Sequence, residues 1–199
     1  MKKELKILLV AAAFSTFVHS MLGPIYAIFV EKIKGGILEA SYSIAIFSFS
    51  AGILIYIISK WEDKIKFKEK LLPIGYLLNS VGFFSYMFVS KPVHLYIVEA
   101  IFGFGIAVLS PLYDGLYSKN MDKDKYVSQW GAWESMSYVI SAFAALIGGF
   151  LVSYFGFEVL FFPLFILSLF SVFISLALVR ENRIKLHSLK SKKRRLHAY

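Results

Sequence analysis

Residues 96–115 read YIVEAIFGFGIAVLSPLYDG, a run apolar enough to lie in hydrocarbon that nonetheless carries a carboxylate, Glu99. An ionisable group in hydrocarbon costs on the order of 3 kcal/mol, so it normally faces a bundle interior or a watery cavity. Such a glutamate can take and release a proton or hold a cationic solute. It can also reach outward to the interface, or simply hydrogen-bond His94 or Tyr26. His19 stands near the middle of another apolar run and is followed by Gly23, Pro24 and Tyr26. It reads either as a cavity residue or as a neutral histidine bonded to a neighbouring carbonyl. Asn79, in a third run, is a ligand to solute or an interhelical hydrogen bonder. Glu99, His19, Tyr26 and Asn79 are therefore the candidate substrate- or proton-binding residues.

Other chemistries lack their parts. The 199 residues include no cysteine, which removes thiolate nucleophiles, disulfides and Cys-based metal sites. There is no Gly-x-Ser-x-Gly elbow and no His-Glu-x-x-His, and one histidine lies well inside a span, so an intramembrane hydrolase lacks a nucleophile beside a base. We expect no catalytic residues, no metal site, no cofactor and no enzyme.

The elements that must hold these residues are membrane helices. The chain is 58% hydrophobic and 18% aromatic with mean hydropathy +0.66, far from the composition of a soluble domain. Apolar stretches of about 20 residues, the length that crosses hydrocarbon at 1.5 Å per residue, alternate with short charged clusters. They predict an all-α polytopic fold with six segments at about 7–30, 38–59, 71–90, 95–117, 126–154 and 157–179. The opening MKKELKILLVAAAFSTFVHS has the start of a signal peptide and a poor cleavage site at Val18-His19-Ser20, but its apolar run continues through MLGPIYAIFV, too long for a signal core. Pro24 should kink the first helix and free carbonyl groups there.

Charge sets the direction. Of 22 basic residues, all but Lys32, Lys34 and Lys91 belong to the same side of the six-segment topology. The positive-inside rule then places both termini in the cytoplasm, for a multi-pass protein of the cell (plasma or inner) membrane. Short links make antiparallel hairpins of segments one and two, three and four, and five and six. Trp61, Trp130 and Trp133 fall at the expected cytoplasmic boundary, where indole anchors well. The tail, residues 180–199, places Leu186, Leu189 and Leu196 along one face among cations. This is the pattern of a helix lying on the anionic inner leaflet, with nucleic-acid binding the lesser alternative. By rise alone His19 lies about 18 Å from the cytoplasmic end of its helix and Glu99 about 6 Å below the outer end of its own. Tyr26 is thus closer in depth to Glu99 than His19 is.

From the second segment onward the order of features resembles one six-helix half of a major facilitator superfamily transporter, the N-terminal half. In SKWEDKIKFKEK, Asp63 and Lys64 stand where that family's cytoplasmic loop motif has its acid and base, followed by Lys68 and Lys70, with Ser59 and Lys66 in place of glycines. EAIFGFGIAVLSP reproduces the fourth-helix pattern through Gly103, Gly105, Ala107 and Pro111, with Glu99 where relatives often carry arginine. Gly131, Gly148, Gly149 and Gly156 continue the likeness through the fifth helix into the sixth, while Ala144 and Ala145 replace a frequent Gly-Pro. Apart from any family, small residues let transmembrane backbones approach, so Gly103, Ala107 and Gly115 on one helix and Ala145 and Gly149 on another read as packing seams; with the resemblance, Gly105, Pro111 and Gly148 join them as expected helix-packing positions. Asp114 and Glu134, near the cytoplasmic helix ends, are expected as gate or loop-anchoring charges with Asp63 and Lys64, neutralised by Lys119, Lys123 or Lys125.

The resemblance implies secondary transport of a small solute, coupled to a proton or other ion, by a half that pairs with itself or with a separately encoded second half. It also implies that the first and fourth helices line the central cavity. The alternative is a substrate-binding membrane subunit of an energy-coupling-factor importer, for which the AAAFS run of the first helix offers a small-residue docking face.

Overall fold

The structure is a computed structural model that describes the backbone of residues 1–196 and the side chains of residues 1–184. The chain folds into helices throughout: α1 (Lys3–Leu22), α2 (Tyr26–Lys32), α3 (Ile37–Glu62), α4 (Leu72–Tyr86), α5 (Pro92–Asn120), α6 (Tyr126–Phe155) and α7 (Glu158–Leu196). In lipid every backbone N–H and C=O must be bonded within the protein, which a helix achieves by itself. Five segments are long and apolar enough to cross a membrane, with α1 and α2 counting as one. The remaining helix, α4, has 15 residues.

Pro24 acts as expected. The first span breaks at Gly23–Ile25 into one tight 3-10 turn and resumes as α2. The third span ends sooner than position 90. Lys91 precedes Pro92 and takes an extended conformation, φ −146° and ψ 155°, because a residue before proline is pushed out of the helical region. Residues 87–91 therefore form the turn of the hairpin. The sixth helix does not stop at 179 but continues to Leu196. The expected apolar face of the tail, from Leu186 to Leu196, lies outside the described side chains.

The helices pack in the order α3, α5, α4, α7, α1, α6, each mainly against its neighbours in that series. Exchanging the first three spans with the last three maps this order onto its own reverse. The bundle is thus two triplets with equivalent neighbours. Glycines stand at the two equivalent crossings. A side chain at Gly103 of α5 would meet Ser50 Cβ at 2.5 Å and the Phe47 carbonyl at 2.8 Å on α3. One at Gly148 of α6 would meet the Met21 carbonyl of α1 at 2.2 Å. Gly105 approaches Asn79 on α4, and Ala107 is fully buried. At Gly149, by contrast, an added Cβ meets nothing within 4 Å, so the close approach of α6 runs through Gly148. Pro111 lies inside α5 and borders a cavity at one end of the bundle.

That end gathers both termini of the span set. The Met1 ammonium lies 3.4 Å from Asp122, Lys2 donates to the Met121 carbonyl, and Lys3 pairs with Glu181. Gln129 fixes the α5–α6 turn by accepting from Asp122 N–H and donating to its carboxylate at 2.8 Å. Trp61 is 55% exposed there, whereas Trp130 and Trp133 pack against Tyr117 and Tyr113. The opposite end carries Lys32, paired with Glu158, and Lys34 and Lys91.

Candidate functional site

The kink brings Tyr26 to face α5. Its hydroxyl donates to Glu99 Oε1 at 2.8 Å, and the Tyr86 hydroxyl, from the end of α4, donates to the same oxygen at 2.8 Å. Glu99 is 8% exposed, so it turns into the bundle and not toward the interface. His94, one of its expected partners, bonds Ser90 instead.

Beside the carboxylate opens a cavity of about 290 Å³ between the kinked first span, α3, α4 and α5. Its walls are the rings of Tyr26, Phe47, Phe83, Tyr86 and Phe102, with His19 at one side. His19 Nδ1 lies 2.8 Å from the Ser15 carbonyl, its own preceding turn. Its Nε2 is buried without a partner, and the imidazole packs at steep angles against the rings of Phe83 and Phe102. Gly82 sets the position of Phe102, whose ring passes 2.7 Å from where a Cβ would stand. Helices of both triplets thus meet at one polar point in an aromatic wall, the place where an embedded carboxylate can be offered to a solute.

Three of the four residues named from sequence, Glu99, Tyr26 and His19, share this cavity. Asn79 does not. It is 2% exposed, donates to the Gly75 carbonyl of its own helix, and turns Oδ1 toward Gly105. Sequence reasoning missed Tyr86 and the phenylalanine wall. The signal for Tyr86 was the short 87–91 turn, which brings the end of α4 beside the start of α5.

A second cavity of about 420 Å³ lies at the end of the bundle that holds Met1, between the α3–α4 loop and α5. Asp63, Lys66, Lys68, Glu69 and Lys119 line it, and Asp63 pairs with Lys68 at 2.5 Å. Glu62 faces the same space, 3% exposed, with Oε1 unbonded. Lys64 is exposed and outside the lining. Asp114 and Glu134 are also exposed, and among the described residues neither makes an ion pair with Lys119, Lys123 or Lys125.

A helical bundle of paired triplets with spans long and apolar enough to cross a bilayer has the build of a multi-pass membrane protein. The sequence profile of the Major Facilitator Superfamily matches residues 8–198, and the chain belongs to that family. It is 24% identical over 150 residues, 73% of its length and 88% of the relative's, to a Bacillus subtilis (strain 168) protein described as an uncharacterized MFS-type transporter, YitZ. Membrane transport by a major facilitator protein is accordingly the work of this fold, and a transporter family is not one of enzymes.

Proposed function

We propose that the chain is one half of a secondary transporter, completed by a second copy or by a separately encoded six-helix half, and that the Glu99 cavity receives the small solute or the coupling proton. The observation that carries this reading is the Glu99 carboxylate, held by Tyr26 and Tyr86 at the edge of an open cavity where the two triplets meet. A group so placed sees solute only where the packed helices leave room, which is what a binding site between moving elements requires.

Pairing draws support from the uneven burial of the helices. The most apolar window of α5 is 56% buried, but those of α3 and α6, the two ends of the packing series, are 11% buried. An open series turned by half a rotation about the membrane normal brings the α3 end of one copy to the α6 end of the other. The start of α1 and the Glu181 turn of α7 lie on one face, so neither copy need invert. The relative of which this chain covers 88% is itself no longer than this chain. The charge difference between the two ends supports a cytoplasmic position for both termini in a cell membrane.

The test is uptake into proteoliposomes of a panel of sugars, peptides, drugs and nucleosides, with and without a proton gradient, repeated with Glu99→Gln. Gradient-driven uptake of at least one solute, with coupling lost in the variant, is expected. Unchanged coupling in Glu99→Gln removes the carboxylate from the mechanism.

A further inference from the structure

The Glu99 cavity offers electron-rich atoms and little else. Both tyrosine hydroxyls donate to Oε1, while Oε2 accepts no hydrogen bond from the described residues. No lysine or arginine lines the cavity, and among the described residues Glu99 makes no ion pair. A carboxylate withdrawn from water with no countercharge is costly, and a positive partner from outside relieves that cost. His19 stands at one side of the cavity with Nδ1 turned back to the Ser15 carbonyl.

The walls fit the same charge. Phenylalanine and tyrosine faces attract a cation through the ring quadrupole, and more strongly where water is excluded. Tyr26, Phe47, Phe83, Tyr86 and Phe102 surround the carboxylate on elements from both triplets. Solutes of other classes fit poorly. An anion would meet Glu99 with no donor to balance it. A sugar would lose water from many hydroxyls and find few polar atoms to replace it.

Resting on the reading of this cavity as the solute site, we infer that it takes an organic cation: a protonated or quaternary amine carrying an apolar body, within about 290 Å³. The carboxylate receives the charged end, and the rings cover the rest.

Binding of labelled phenyltrimethylammonium to the full chain in detergent, by equilibrium dialysis, tests this. Saturable binding is expected, displaced by unlabelled cation but not by benzenesulfonate or benzyl alcohol. Glu99→Gln should weaken it at least tenfold, Glu99→Asp by only a few-fold, and Phe102→Ala to an intermediate degree. Equal displacement by the sulfonate or the alcohol overturns the inference, as does retained affinity in Glu99→Gln or the absence of saturable binding. The three-probe comparison on the unaltered chain decides the matter even where a variant fails to fold. Glu99-dependent cation binding without uptake of any solute supports the inference and counts against the transport reading. Glu99-dependent uptake of a neutral or anionic solute overturns the inference and leaves transport standing.

Discussion

At the scale of single residues, the arrangement to explain is two hydroxyls on one carboxylate oxygen. Removing either donor leaves a buried acceptor half satisfied, a change worth about 1–3 kcal/mol. Tyr86→Phe, fully within the bundle, is expected to lower the thermal stability of the detergent-solubilised protein by that order. In a Glu99→Gln background the same substitution should cost less, because its partner has changed; equal losses in both backgrounds would show that the tyrosine acts through packing alone. Outside the spans, Asp122 offers a measurable pH effect. The Gln129 side chain, helped by the Met1 ammonium and Lys2, holds its carboxyl below the usual carboxylate range. Stability from this group is therefore complete above the unfolded-state value and lost as pH falls through the lower folded value. Asp122→Asn should melt slightly lower than the parent at pH 7, and the two should converge in acid. A gap that persists at the acid end of the series would point to a cause other than ionisation.

Elements are held by how closely their backbones approach, since burying apolar side chains against one another gains little in lipid. Gly148 and Gly149 provide a matched pair on one helix. A methyl at Gly148 meets the Met21 carbonyl at 2.2 Å, and one at Gly149 meets nothing within 4 Å. Gly148→Ala is expected to destabilise by about 1–3 kcal/mol through overpacking, and Gly149→Ala to stay within about 0.5 kcal/mol. Melting temperatures of the two variants check this, and equal losses would mean that α1 and α6 do not cross there. The kink belongs to the same scale. Gly23, Pro24 and Ile25 form the 3-10 turn that re-aims the first span, so that Tyr26 reaches Glu99 from a second, separately oriented helix. A straight helix would keep Tyr26 on a bearing fixed by His19.

For the whole molecule, the packing series has two free ends, and pairing closes them. Phe49 of α3 and Phe143 of α6 are 71% and 62% exposed and lie at matching depths. The chain has no cysteine of its own, so single-cysteine variants report cleanly. Mixing Phe49→Cys with Phe143→Cys copies in liposomes should give a crosslinked pair in higher yield than either variant alone. Preferential self-crosslinking of each variant would exclude rotation about the membrane normal as the relation between copies.

The sequence by itself determined the helices, the gathering of charge at one end and several close crossings, because hydrocarbon leaves a chain few options. Each span must satisfy its own backbone, charges collect at the ends, and glycine marks where backbones meet. Glu99, Tyr26 and His19 were legible for the same reason: polar groups are conspicuous in an apolar run. The tertiary structure alone decided that Tyr86 and not His94 completes the carboxylate, that Asn79 faces Gly105 away from the cavity, and that phenylalanines form the wall. Those outcomes depend on the rotation of each helix about its axis. Residues facing lipid and residues facing protein are equally apolar here, so the pattern of side chains carries little record of that rotation, and only the packed bundle fixes it.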